Sequence, residues 1–446
     1  MVFDIKFALL RKISFCMERK IINKLKEWKN SEHRKPLILQ GARQIGKTYI
    51  VNIFADMEYG NCVYLNFERQ QVLSSFFDDL NPKAIIQKLS EYYHTIINPG
   101  STLLIFDEIQ ACPEAITSLK YFCEDAPEYH VISLGSLLGV SVNRGISSFP
   151  VGKVQFMDMF PLDFEEFLMA NNEQFLIDEI RKSFENNTPL NEAFHIKALE
   201  YYKVYLYVGG MPEAVETYIK TRNSVLVQEK LSNILDAYLN DMGKYNKQSE
   251  IPKTRIVYKN ISTQLSKENT KFQYKYIKTG GRASEFESAI EWLNLAGVAN
   301  QVYRLERIML PLNAYRSLSD FKFYMNDTGL CCASQNILMD DIMGSNPFMN
   351  NFKGGLTENY VNAQLRSKGY DLFYWTEKDS AEIDFVTRIN GDIIPIEVKS
   401  ADNVRARSLA SFMKKFSPKY SIRISSKNFG MENGIKSVPL YGVFLI

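Results

Sequence analysis

Histidine is scarce in this sequence: His33, His94, His130 and His195 are the only four in 446 residues, and they are scattered. A zinc centre or a Ser-His-Asp triad is therefore not expected, because each needs such side chains in concert. The six cysteines (Cys16, Cys62, Cys112, Cys123, Cys331, Cys332) contain no C-x-x-C pair. In a chain of this length that fits reduced thiols in the cytoplasm better than a disulfide framework. No uncharged apolar run reaches the roughly 18 residues that a membrane-spanning helix requires, so no membrane partner is expected. The opening segment is interrupted by Asp4, Lys6, Arg11 and Lys12 and lacks the continuous apolar core of a signal peptide. Helical patterning starts at Met17-Glu18-Arg19-Lys20, which makes Met17 an alternative start. The net charge of +2 supplies no global field for nucleic acid, so any such surface must be local. With 46% hydrophobic and 23% charged residues the composition is globular. The length exceeds one ordinary core and predicts about two to four domains.

The most informative stretch is Leu37-Ile38-Leu39-Gln40-Gly41-Ala42-Arg43-Gln44-Ile45-Gly46-Lys47-Thr48. An apolar strand runs into G-x-x-x-x-G-K-T, and Tyr49 to Phe54 continue as a helix, which is the P-loop pattern. Gly41 and Gly46 let the backbone turn tightly, so that successive N–H groups of Ala42, Arg43, Gln44 and Ile45 face phosphate oxygens. The helix beginning near Lys47 adds its positive end. Lys47 is expected to reach the β- and γ-phosphates of ATP, and the Thr48 hydroxyl to ligate Mg²⁺.

Thr102-Leu103-Leu104-Ile105-Phe106-Asp107-Glu108 reads as a strand buried on both faces, with two acids where open α/β sheets place ligands. Following a P-loop, this is a Walker B pattern. Asp107 is expected to hold the Mg²⁺ that accompanies ATP, and Glu108 to orient and deprotonate the attacking water. The strand His130–Gly135 leads into Ser136, the candidate sensor of the γ-phosphate. Around these, helices are expected over residues 17–30 and 82–97, and strands over 36–40 and 63–67.

Gly41–Thr48, Ile105–Gln110 and Leu134–Ser136, with the blocks Phe160-Pro161-Leu162-Asp163-Phe164-Glu165-Glu166-Phe167 and Val208-Gly209-Gly210-Met211-Pro212-Glu213-Ala214, carry a resemblance. From about Glu18 onward the chain resembles prokaryotic AAA-type ATP-binding proteins that end in a nuclease-like domain of unknown function. The resemblance implies an ATPase core, a helical lid, a winged-helix segment and the C-terminal domain, and supplies no cellular role. Where many relatives carry Gly-Arg before the aromatic-Pro block, this sequence has Gly152-Lys153. Lysine cannot make the bidentate contact of an arginine, and Arg144 is an alternative source of that charge.

Residues 162–245 pattern as helices, with Gly209-Gly210-Met211-Pro212-Glu213 read as a helix break and restart. Residues 252–325 read as helix-turn-helix with a wing: helices over 254–265 and 284–296, strands over 298–305 and 321–326. Lys271, Lys275, Lys278 and Arg282 make this stretch locally basic and DNA a candidate partner, although Glu285, Glu287 and Glu291 would repel phosphates. Residues 335–353, with Gly354-Gly355 beyond, read as a linker. A helix opening at Thr357-Glu358 is followed by Ala381–Val386 and Ile393–Ser400, which alternate as strands and place Glu397 with Lys399, and Glu382 with Asp384, on shared faces. This set resembles the D…E-x-K core of restriction-endonuclease-like proteins. The likeness implies that Asp384, Glu397 and Glu358 hold a second Mg²⁺ or Mn²⁺, with Lys399 beside them.

The expected architecture is α/β: a parallel-sheet P-loop core of AAA type over 17–160, a helical lid region over 161–250, a winged-helix-like domain over 251–335 and an α/β nuclease-like domain over 354–446. The expected function is binding and Mg²⁺-dependent hydrolysis of ATP. The alternatives are an ATP-gated nuclease acting on DNA, and an ATP-switched signalling or scaffold protein, for which a protein partner or self-association would be needed.

Overall fold

The computed structural model describes residues 17–135, 149–245, 248–267, 270–377, 381–400 and 407–446. The N-terminal part is built on five parallel strands: β1 (Leu37–Gln40), β2 (Asn61–Asn66), β3 (Thr102–Asp107), β4 (His130–Gly135) and β5 (Gln155–Asp158), in the order β2-β3-β4-β1-β5. Register follows from the pairing of Leu37 with both Ile132 and Gln155, and of Leu103 with His130. Every residue of β3 and β4 is buried, as a strand sandwiched between helical layers must be. Alternation sends Leu37, Leu39, Leu103 and Ile105 to one face, where they pack with Ile50, Phe54 and Trp28. Ile38, Leu104 and Phe106 go to the other face, against Ile85, Leu89 and Phe122. Each such fully buried side chain contributes roughly 1.5–3 kcal/mol of transfer free energy.

Local chemistry sets the helix ends. Asn81 accepts from the Lys83 N–H at 3.0 Å, and Pro82 follows at the first helical position of Pro82–Tyr93. That helix stops at His94, which adopts a left-handed conformation, rather than at residue 97 as its patterning suggests. Asp163 and Glu166 form a reciprocal capping box that starts Phe164–Ala170. The first helix runs Ile21–Asn30.

The helices Gln174–Asn186, Glu192–Val208, Pro212–Thr221 and Ser224–Tyr245 make the expected helical middle. Helices Ile251–Leu265 and Ala283–Leu295, then the antiparallel strands β6 (Ala299–Leu305) and β7 (Arg316–Met325), fall where helix-turn-helix and wing were expected. The hairpin is not a free-standing wing. With β8 (Phe373–Glu377), β9 (Ala381–Ile389), β10 (Asp392–Val398), β11 (Ser421–Ser425), β12 (Gly430–Glu432) and β13 (Ile435–Pro439) it forms one mixed sheet, ordered β12-β13-β11-β10-β9-β8-β6-β7. The junction is short, with Tyr303 opposite Phe373 and Arg304 opposite Tyr374.

The expected linker is largely ordered. A short helix spans Met339–Met343, and the long helix begins at Asn350, so that Gly354 and Gly355 lie inside it. Gly355 is there because the helix crosses Ile251–Leu265 closely: a Cβ on it would stand 2.0 Å from the Leu265 carbonyl oxygen. Among the described residues no helix is long and apolar enough to cross a membrane.

Candidate functional site

β1 ends at Gly41 (φ 143°), and the loop returns through Gly46 (φ 90°) into the helix Lys47–Glu58. Both glycines have a backbone reason. A Cβ on Gly41 would lie 2.2 Å from the Met159 carbonyl oxygen, and Gly46 has the positive φ that side chains disfavour. Gln44 is also left-handed and exposed, whereas Ala42 and Ile45 are buried. The loop is braced from outside. Arg19 donates to the Ile45 carbonyl at 3.1 Å and to the Phe160 carbonyl at 2.7 Å. Tyr238 donates to the Arg43 carbonyl at 2.9 Å, and the Arg43 guanidinium pairs with Asp241.

The Lys47 ammonium lies across the mouth of its own loop, donating to the carbonyls of Gly41 at 2.9 Å and Ala42 at 2.7 Å. Burial lowers its pKa to about 8, against the opposing pull of Glu108 and Asp107. Thr48 Oγ1 donates to Asp107 Oδ2 at 3.1 Å, so the P-loop hydroxyl and the acid at the end of β3 meet directly. Asp107 is only 5% exposed and held from several sides. The Tyr64 hydroxyl and, at 3.5 Å, Asn66 Nδ2 donate to Oδ2, and the Glu108 N–H donates to Oδ1 at 2.9 Å. Glu108 adopts a left-handed conformation at the strand end and accepts from Gln110 Nε2. Burial raises its pKa, with the Gln110 hydrogen bond working the other way.

The structure thus brings together Gly41–Thr48, Asp107 and Glu108. Ser136 and Arg144 lie outside the described residues. Lys153 pairs with Glu124 at 2.8 Å on the surface. Sequence reasoning missed Tyr64 and Asn66. Their alternation along β2 toward the Asp107 end was the available signal. It also missed why Gly209-Gly210 is there: a Cβ on Gly210 would fall 2.0 Å from the Leu162 carbonyl oxygen, and the Gly210 N–H donates to Asp327 Oδ2 at 2.6 Å. Asp327 is fully buried, which pushes its pKa up to about 6 against the backbone N–H groups of Gly210, Leu330 and Gly329.

The tail departs further from expectation. Glu358, Glu382 and Asp384 do converge, but on the ammonium of Lys322 from β7, at 3.1, 2.6 and 3.7 Å. Glu358 Oε2 also accepts from the Tyr324 hydroxyl at 2.9 Å and Thr270 Oγ1 at 3.4 Å, and Asp384 Oδ2 from the Val398 N–H at 2.8 Å. Glu397 is buried, with Oε1 3.4 Å from Lys399 Nζ. Among the described residues no three of His, Cys, Asp and Glu are grouped to hold a metal, and of the three acids expected to hold a second Mg²⁺ or Mn²⁺, Glu358 and Asp384 stand around Lys322 while Glu397 faces Lys399. Burial raises the pKa of Asp384 to about 7, aided by Glu358 and opposed by Lys322 and Lys399. The basic stretch before Ala283–Leu295 is partly spent internally, Lys271 pairing with Asp320 and Lys278 with Glu285 at 2.9 Å.

Comparison with known proteins agrees with the N-terminal geometry. Residues 33–168 match the AAA domain family, residues 199–341 a domain of unknown function (DUF8612), and residues 353–442 a domain of unknown function (DUF4143). The N-terminal region is therefore an AAA-type P-loop ATPase domain, of a kind that binds nucleotide, usually with Mg²⁺. No curated protein matches the chain. Similar solved structures include a Walker-type ATPase of Pyrococcus abyssi, at 15% identity over 72% of this chain and 96% of that one, with a TM-score of 0.42. The Aeropyrum pernix ORC1 protein in complex with DNA is 11% identical over 71% and 90%, with a TM-score of 0.27. RuvB of Thermotoga maritima is 17% identical over 64% and 90%, also at 0.27. With likeness this distant, none of the three bears on the assignments below.

Proposed function

We propose that this chain binds ATP on the loop Gly41–Thr48 and hydrolyses it, Lys47, Thr48, Asp107 and Glu108 being the working side chains. The observation that carries the reading is the direct meeting of Thr48 Oγ1 and Asp107 Oδ2 at 3.1 Å beside the buried Lys47 ammonium. A hydroxyl and a hard carboxylate oxygen on adjoining elements are the donor set that Mg²⁺ prefers, so the residues fit that ion. Mg²⁺, when bound with ATP, neutralises charge on the β- and γ-phosphate oxygens. The chain's own residues do the rest. The loop N–H groups and the start of Lys47–Glu58 receive the phosphates. Lys47 exchanges its two backbone carbonyl acceptors for phosphate oxygens, which restores the ammonium's charge partners in a buried place. Glu108, its basicity raised by burial, takes the proton from the attacking water.

We also propose that residues 17–160 act as the core and 161–250 as its lid region, which reaches the loop through Tyr238, whose hydroxyl donates to the Arg43 carbonyl at 2.9 Å, and through Asp241, paired with the Arg43 guanidinium. DNA chemistry in the tail is not part of this proposal, because Lys322 stands against Glu358 and Asp384, two of the three acids on which it would depend. The test is Lys47→Ala with a fluorescent ATP analogue. A folded variant should lose at least tenfold in affinity, and unchanged affinity would overturn the assignment.

A further inference from the structure

The acids of the tail converge as a divalent-ion site would, yet they converge on a side chain. Lys322 lies on β7, outermost in the eight-stranded sheet, and reaches Glu358 on the helix Asn350–Ser367 and Glu382 and Asp384 on β9. It is 1% exposed, and its ammonium also lies 5.4 Å from the centre of the Tyr374 ring. A lysine this buried is retained only where partners compensate its lost hydration. Here Glu358 Oε2 and Glu382 Oε1 accept at 3.1 and 2.6 Å, and Asp384 Oδ1 stands at 3.7 Å. The ammonium thus donates to two carboxylates and stands beside a third.

We propose that Lys322 is the resident cation of this acidic cluster, an internal ammonium standing where a divalent ion would otherwise be drawn, so that the folded chain takes up no Mg²⁺ or Mn²⁺ there. Two further features support the assignment. The Tyr324 hydroxyl and Thr270 Oγ1 share with Lys322 the Oε2 of Glu358, and the Val398 N–H occupies Asp384 Oδ2. The cation also arrives on a hairpin joined to the rest of the sheet through only two residue pairs, Tyr303–Phe373 and Arg304–Tyr374. The charge pairing therefore fastens the hairpin to the tail where backbone pairing is sparse.

The test uses the full-length protein without nucleotide, with Mn²⁺ as the probe and thermal unfolding and the electron paramagnetic resonance of bound Mn²⁺ as readouts. The wild type should show no Mn²⁺-dependent shift at millimolar concentration beyond that of Asp384→Asn. Lys322→Met, close in length but uncharged, should melt several degrees lower and recover part of the loss when Mn²⁺ is added. Adding Asp384→Asn to Lys322→Met should abolish the recovery, and Lys322→Arg should stay silent to Mn²⁺. A wild-type protein whose Mn²⁺ signal disappears in Asp384→Asn overturns the proposal. So does a Lys322→Met protein that melts lower and gains nothing from Mn²⁺. Should Lys322→Met fail to fold, the comparison of wild type with Asp384→Asn decides alone.

Discussion

Replacing Tyr64 by phenylalanine removes one oxygen from the neighbourhood of Asp107 and leaves the ring, so the perturbation is confined to a hydrogen bond. The Tyr64 hydroxyl donates to Asp107 Oδ2, the oxygen that also receives Thr48 Oγ1. A hydrogen bond to a charged acceptor contributes roughly 1.5–3 kcal/mol. Tyr64 is only partly buried, so water replaces some of the loss, and Thr48, Asn66 and the Glu108 N–H remain on the carboxylate. The lower end of the range therefore applies, and about 1.4 kcal/mol is a factor of ten. If Asp107 serves Mg²⁺–ATP, the Tyr64→Phe enzyme should need about three- to tenfold more free Mg²⁺ for half-maximal ATP turnover. The plateau rate and melting temperature should change little. The assay is the steady-state ATPase rate against free Mg²⁺ at saturating ATP. A folded Tyr64→Phe protein with an unshifted Mg²⁺ curve would refute the reasoning, because it would mean that the orientation of Asp107 is irrelevant to turnover.

Glu108→Gln should bind ATP as the wild type does and turn it over about a hundredfold more slowly, the usual cost of losing a general base, as single-turnover hydrolysis would reveal. Gly210→Ala should destabilise the fold by about 3 kcal/mol or more, since its methyl would meet the Leu162 carbonyl oxygen at 2.0 Å. Gly354→Ala, with nothing within 4 Å of the added methyl and a helical setting, should be neutral or stabilise by about 0.5–1 kcal/mol; urea midpoints compare the two. For Asp327, the folded pKa of about 6 lies above the ordinary 3.8, so between those values the folded chain holds the extra proton. Its contribution is therefore present below pH 4 and lost as pH rises through 6. About two pH units at 1.36 kcal/mol each give about 3 kcal/mol. Between pH 4 and pH 7 the stability difference between wild type and Asp327→Asn should move against the wild type by about that amount, and no movement would refute the burial argument.

The meeting of the loop and the acids was legible because a P-loop is a contiguous pattern: a loop that turns on Gly41 and Gly46 carries its lysine and hydroxyl next door, and Asp107 ends a buried strand beside them. Tyr64 and Asn66 were not read, because β2 carries no motif and its meaning depends on lying beside β3. Gly209-Gly210 was seen as a helix break, but the contacts that require it come from Leu162 and Asp327, 117 residues away in the latter case. Gly354-Gly355 looked like linker because glycine usually interrupts helices, whereas Gly355 marks where two helices touch. Lys322 was invisible for a related reason. Phe321-Lys322-Phe323-Tyr324 reads as ordinary strand alternation, and the partners that make its lysine unusual lie 36 residues and more along the chain.

The position of Lys322 also bears on where the chain can be cut. A fragment of residues 354–446 would retain Glu358, Glu382 and Asp384 but leave their cation on the discarded side, and would strip Phe164, Tyr202 and Tyr205 from around the buried Tyr360. Three carboxylates released in this way repel one another until protons or metal ions arrive. Such a fragment would bind Mn²⁺ readily, and that affinity would be a property of the cut rather than of the protein.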